Sequence, residues 1–154
     1  LKQGLSVAFI TIGDSMLYST YTYLMARVRR LLPEAPIECV PGVTSFSAAA
    51  AYLQEALAEG AEKLAVVPAI ENPEEIRDVL ERFSNAVLMK VAGQYDAILD
   101  VLEDLQVADK AVLVSRLGYP EQKICRNLPS LRGQKLDYLS LILVKQEGFQ
   151  TWPV

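Results

Sequence analysis

Residues 7–12 (V-A-F-I-T-I) are β-rich and almost continuously apolar, the pattern of a strand covered on both faces in a parallel sheet. From about Tyr18 the period becomes helical. Tyr18, Tyr21, Met25, Val28 and Leu32 fall on one stripe, and Arg27, Arg29 and Arg30 lie near the end, where cations suit the helix dipole. Pro33 and Pro36 stop this helix, residues 37–40 predict a short strand, and Pro41-Gly42 closes it. A second helix is predicted over about 45–57, with Thr44 or Ser45 placed to cap it and consecutive alanines at 48–51 suited to close packing. Residues 63–67 read as a strand. Asn72-Pro73-Glu74-Glu75 then announces a helix carrying Ile76, Val79, Leu80 and Phe83 on one side. Strands follow at 86–90 and 111–115, with a helix at 95–105 between them, then a hairpin return through 123–126 and a last strand at 137–144. Residues 146–154 form a polar tail without a pattern. Strands alternating with helices predict an α/β architecture with a largely parallel or mixed sheet. The seam between Pro33 and Thr44 predicts a division into residues 1–43 and 44–154.

Composition narrows the classes. The chain has 154 residues, 51% of them hydrophobic, enough for one ordinary core or a small domain with a fragment of another. Its longest apolar runs are strand-sized, far short of the ~20 residues that cross a bilayer, so a soluble protein without a membrane partner is expected. The formal net charge of −4 and the scattered Lys and Arg argue against a nucleic-acid partner, which demands clustered cations. Cys39 and Cys125 are far apart and belong to no C-x-x-C pair; both are expected to be reduced thiols in or near the core, in a cytoplasmic protein. The opening Leu-Lys-Gln-Gly has no initiator Met, basic region or apolar region of a signal peptide, and reads as a start inside a longer protein.

The chain contains no histidine, so it cannot assemble a Ser-His-Asp relay or a His-ligated zinc site, and no metal site is expected. Neither G-x-x-x-x-G-K-[ST] nor G-x-G-x-x-G is present. What remains is a set of sharp turns after strands: Gly13-Asp14-Ser15-Met16, Pro41-Gly42-Val43-Thr44-Ser45, Val91-Ala92-Gly93 and Leu117-Gly118-Tyr119-Pro120. In open α/β sheets, ligands sit beyond the carboxyl ends of strands, and such turns either line a common crevice or are ordinary loops. Gly-Asp-Ser-Met also looks like the opening of GDSL-type esterases, with Ser15 as nucleophile, but that chemistry lacks its histidine here. A ligand-free folding or dimerisation module is the non-enzymatic alternative.

Several segments in fixed order carry a more specific resemblance: I-G-D-x-x-x-Y-S-T-Y, then E-C-V-P-G-V-T-S-F-S-A-A-A-A, then L-M-K, then S-R-L-G followed by a basic strand. Together they resemble the tetrapyrrole methylases, and among these most closely the precorrin-2 or cobalt-factor II C(20)-methyltransferases of cobalamin biosynthesis. Another methylase of the same superfamily, acting at a different ring position or on a diphthamide precursor, would share these loops. The resemblance covers essentially the whole chain, whereas the family's leading third, with its glycine-rich loop, has no counterpart. It implies that residues 1–43 end an N-terminal α/β domain and that 44–154 form a C-terminal α/β domain with a mixed sheet. It also implies a homodimer that holds S-adenosylmethionine between its two domains and releases S-adenosylhomocysteine.

Carried over by position, the cofactor contacts are Ile12, Gly13 and Asp14, with Leu17 just beyond, then Thr44 and Ser45, Met89 along the adenine, and Gly118. Many relatives have proline where this chain has Ser15, which reads as a turn residue. Asp14 either meets the ammonium or ribose end of the cofactor or stabilises its own turn. The implied substrate is a reduced tetrapyrrole rich in carboxylates, precorrin-2 or cobalt-factor II. Arg116 and Lys90, each at a strand end, are candidates for pairing with those carboxylates, against the alternative of solvated surface charge. A sulfonium donor carries its own leaving group, so no protein nucleophile is required, and no general base stands out.

Overall fold

The computed structural model describes residues 4–69 and 72–150. It divides into two compact units, residues 1–45 and 46–154. The polar tail predicted at 146–154 lies partly outside the described residues.

Among the described residues before Ser45, the one regular element is helix α1, Tyr21–Leu31. It starts three residues later than its periodicity predicts because Tyr18 adopts a left-handed φ of 50°. Ser19 Oγ then accepts a hydrogen bond from the Tyr21 amide at 3.2 Å and opens the first turn. The two strands predicted at 7–12 and 37–40 are not formed; both segments are irregular. β-Rich composition specifies a strand only when a ladder partner takes up its amides and carbonyls, and neither segment has one among the described residues. Accordingly, none of the described residues of this unit is buried, with Val7 72% and Ile10 90% exposed. Cys39, expected near a core, is exposed for the same reason, its sulfur 3.3 Å from the Tyr21 hydroxyl.

The second unit holds a five-stranded mixed sheet, in the order β1-β2-β5-β3-β4. Its strands are β1 (Leu64–Pro68), β2 (Asn85–Met89), β3 (Ala111–Ser115), β4 (Lys123–Cys125) and β5 (Ser140–Lys145). β1 and β2 run parallel, and β5 runs antiparallel to both β2 and β3. All of β2 but Met89 and all of β3 and β5 are buried, as their unbroken apolar runs require. Alternate side chains separate two apolar layers. Leu88, Leu113 and Ile142 face helices α3 (Pro73–Arg82) and α4 (Tyr95–Asp104), whose Ile76, Leu80, Ile98, Leu99 and Leu102 complete that layer. Val87, Val112 and Leu143 face Phe46, Ala49 and Leu53 of α2 (Ser45–Leu53).

The local signals explain most boundaries. Asn72 Oδ1 accepts the Glu74 amide at 3.1 Å, with Pro73 in the first turn, as the cap sequence predicts. α2 ends at Leu53, short of the predicted 57, because Gln54 turns left-handed and the Glu55 amide reaches back to the Ala50 carbonyl at 3.0 Å. Arg132 ties the loop before β5 to α4 through Asp100 and Glu103, both at 2.7 Å.

Candidate functional site

In the first unit the Gly13-Asp14 loop and the Pro41-Gly42 turn are clasped together. Asp14 Oδ1 accepts the Met16 amide at 2.8 Å, closing an Asx-turn, and Oδ2 accepts the Gly42 amide at 2.9 Å. Gly13 has a φ of 78°, which an L side chain tolerates poorly. A Cβ on Gly42 would lie 2.2 Å from the Gly13 carbonyl oxygen, so only glycine allows the two main chains to approach this closely. The clasp therefore brings Gly13 and Asp14 to the turn that leads into Thr44 and Ser45. Of the two roles open to Asp14, turn stabilisation is the one its hydrogen bonds display. Each carboxylate oxygen still has a second acceptor site for an outside donor. Ile12 is 74% exposed and Leu17 half-buried. Among the described residues, Ser15 Oγ is buried without a hydrogen-bond partner.

The Asp14 carboxyl is held below the ordinary value of 3.8, first by the Gly42 amide and then by the Met16 amide. A depressed folded-state pKa adds stability that is present above the unfolded value and lost as pH falls through the folded one. Acid titration followed by the Asp14 carboxyl carbon shift should give a midpoint below 3.8, and Asp14→Asn should flatten the acid limb of the unfolding profile. A midpoint at or above the ordinary value would mean that the clasp does not persist in solution.

In the second unit the strand register places the other candidates along one edge of the sheet. Met89 pairs with Leu141 and with Pro68, and Ser115 pairs with Ser140, so the carboxyl ends of β1, β2 and β3 emerge on the same side. Met89 and Lys90 leave β2 there, while Arg116, Leu117 and Gly118 leave β3. Lys90 and Arg116 both turn the chain with left-handed φ values, 60° and 49°, each at a cost of about 1–2 kcal/mol for a residue with a Cβ. Gly118 follows with φ 82° and open space around its α-carbon. Its amide donates to Gln122 Oε1 at 2.9 Å, which closes the turn.

Arg116, a candidate for substrate carboxylates or for solvated surface charge, is engaged within the chain. Its Nη1 donates to Asp137 Oδ2 at 3.0 Å, its Nε lies 3.3 Å from Glu121 Oε2, and its guanidinium sits 5.1 Å from the centre of the Tyr119 ring. Asp137, Glu121 and Tyr119 escape a reading of the sequence because nothing in their spacing marks them as partners of Arg116. Among the described residues, no group of three or more His, Cys, Asp or Glu side chains is placed to hold a metal ion, and no helix is long and apolar enough to cross a membrane.

The clasped Gly-Asp and Pro-Gly turns, with glycine and a thioether beyond strand ends, are the features on which the family resemblance rests. The family described as Tetrapyrrole (Corrin/Porphyrin) Methylases matches residues 1–130. The chain belongs to the tetrapyrrole methylases. This methylase is 36% identical over 148 residues to the cobalt-precorrin-2 C(20)-methyltransferase of Salmonella typhimurium, an alignment covering 96% of this chain and 61% of that protein. It is 32% identical over 152 residues to the probable cobalt-precorrin-2 C(20)-methyltransferase of Methanocaldococcus jannaschii, covering 95% of this chain and 61% of that one. The chain thus spans about 61% of the length of these curated relatives. Among solved structures, the methyltransferase CobJ superposes with a TM-score of 0.68 at 17% identity, covering 92% of this chain and 64% of that one. Uroporphyrin-III C-methyl transferase from Thermus thermophilus, complexed with S-adenyl homocysteine, superposes with a TM-score of 0.62 at 19% identity, covering 87% and 63%. These likenesses establish the fold of the methylase, an α/β chain with a mixed sheet.

Proposed function

We propose that the protein carrying this chain transfers a methyl group from S-adenosylmethionine to C-20 of precorrin-2 or cobalt-factor II in cobalamin biosynthesis. The observation that carries the reading is the 36% identity to a cobalt-precorrin-2 C(20)-methyltransferase across 148 residues. The local geometry fits the cofactor. An exposed carboxylate at Asp14 has acceptor capacity for an ammonium or a ribose hydroxyl, and glycines at 13, 42 and 118 keep main chain bare for close approach. A half-buried thioether at Met89 offers a polarizable surface for a purine. In the proposed assignment Ile12, Gly13, Asp14, Leu17, Thr44, Ser45, Met89 and Gly118 contact the cofactor. Lys90 pairs with a substrate carboxylate.

When bound, the sulfonium supplies an electrophilic methyl group and its own leaving group. The chain's residues therefore have to bind, orient and exclude water, and effective molarity from alignment is the main contribution asked of them. A homodimer in the cytoplasm belongs to the same reading, on the strength of the family resemblance.

The test uses the full-length protein. Calorimetry should show binding of S-adenosylhomocysteine, and incubation with S-adenosylmethionine and a panel of reduced tetrapyrroles should add a methyl at C-20 of the precorrin-2 type substrate. Ser15→Ala should leave that transfer intact, because the hydroxyl touches no polar partner. Methylation at a different ring position would move the assignment to another member of the family. Ester cleavage that disappears in Ser15→Ala would replace it with a hydrolase.

A further inference from the structure

Arg116 sits at the carboxyl end of β3 with more acidic company than one guanidinium can satisfy. Asp137 and Glu121 together bring two carboxylates to its one guanidinium. For Arg116 to take a substrate carboxylate it would have to surrender partners it already holds.

The contacts also form a closed ring. The Arg116 amide donates to the Leu139 carbonyl at 2.9 Å, the Leu139 amide donates to Asp137 Oδ1 at 2.8 Å, and Asp137 Oδ2 receives Arg116 Nη1. One carboxylate thus fixes both the entry of β5 and the side chain at the exit of β3. From that anchor hangs the turn itself. The Tyr119 amide donates to the Arg116 carbonyl at 3.0 Å, the Tyr119 ring lies against the guanidinium, and Gly118 is closed by Gln122. The neighbouring strands are joined just below by Ser140 Oγ donating to Ser115 Oγ at 3.0 Å.

We infer that Arg116 is a positioning residue for the Gly118 turn, locked by Asp137 and Glu121, and not a ligand for substrate carboxylates. Through it the Arg116–Asp137 pair sets the affinity for the methyl donor. The role in donor binding rests on the cofactor reading proposed above; the mechanical role does not. Arginine suits the position because Nη1 hydrogen-bonds Asp137, Nε forms an ion pair with Glu121 and the guanidinium face lies over Tyr119.

In the full-length protein, Arg116→Ala and Asp137→Asn should each raise the dissociation constant for S-adenosylhomocysteine by roughly tenfold or more, as expected for loss of a charge-assisted hydrogen bond. The tetrapyrrole KM, measured at saturating donor, should stay within about twofold of the parent. The double variant should lose little beyond either single one, since both break the same link. Arg116→Lys, which keeps a cation for Asp137, should recover part of the affinity. Hydrogen exchange without ligand should quicken at residues 117–122 in both single variants, a readout independent of any cofactor. A raised tetrapyrrole KM with unchanged donor affinity would overturn the inference, as would unaltered exchange at 117–122. If the parent itself takes up no S-adenosylhomocysteine, the cofactor reading fails and the donor-binding role fails with it. If the parent binds and the variants bind equally well, the inference alone is wrong.

Discussion

Gly42→Ala is expected to dismantle the Gly13-Asp14 loop and abolish measurable binding of S-adenosylhomocysteine by the full-length protein. The added Cβ would stand 2.2 Å from the Gly13 carbonyl oxygen, 2.9 Å from its carbon and 3.2 Å from the Asp14 α-carbon. All three are main-chain atoms, so no side chain can swing aside, and one of the two segments has to move. Movement breaks the hydrogen bond from the Gly42 amide to Asp14 and releases the carboxylate that the Met16 amide holds at its other oxygen. Overpacking of this kind costs about 1–3 kcal/mol, and the displaced loop no longer offers its main chain to a ligand. Gly118→Ala provides the contrast. Its Cβ would meet nothing within 4 Å, so its penalty is confined to the left-handed backbone, about 1 kcal/mol. Calorimetric titration and thermal unfolding of both variants separate the two cases. Parent-like affinity in Gly42→Ala would show that the clasp has no part in ligand binding.

The second large effect lies in the core. Ile142→Ala should destabilise the second unit by about 2–5 kcal/mol, the range for emptying a fully buried aliphatic site. Ile142 is 0% exposed, at the middle of β5, opposite Leu88 on one side and Leu113 on the other. Helices α3 and α4 cover that face with Ile76, Leu80, Ile98, Leu99 and Leu102. Tyr138→Ala, at a residue 75% exposed two positions before the strand, should stay within about 0.5 kcal/mol of the parent. Urea unfolding followed by far-ultraviolet circular dichroism measures both. Equal midpoints would mean that the layer tolerates a cavity and is not the main support of the sheet.

The sequence patterns located β1, β2, β3 and α4 to within a residue or so, because buried strands and amphipathic helices depend on short-range periodicity. The same approach failed at residues 7–12 and 37–40, where an equally good strand composition produces irregular chain. Propensity describes how well a segment fits a ladder and does not supply the ladder. The end of α2 was illegible for a different reason, since nothing about Gln54 announces a left-handed backbone. At the site, the glycines and Asp14 stood out as turn residues, and their positions follow the motif. The partnership of Asp14 with an amide 28 positions later, and of Arg116 with Asp137, is tertiary and leaves no trace in local spacing. That is why the partners of Arg116 could not be named from the sequence. The mixed character of the sheet was foreseen, but the placing of its last strand between β2 and β3 was not, because a strand's neighbours are chosen by the whole fold.

That placing has a consequence during synthesis on the ribosome. β1 and β2 can pair as soon as they emerge, and β3 can form its hairpin with β4, but these halves stay unjoined until β5 has been translated and slides between them. Closing such distant contacts is entropically slow, and until then the apolar flanks of β2 and β3 are available to chaperones or to neighbouring nascent chains. Stop codons or ribosomal pausing anywhere ahead of Ser140 should therefore yield insoluble product, with none of the graded loss that trimming an outer strand would give.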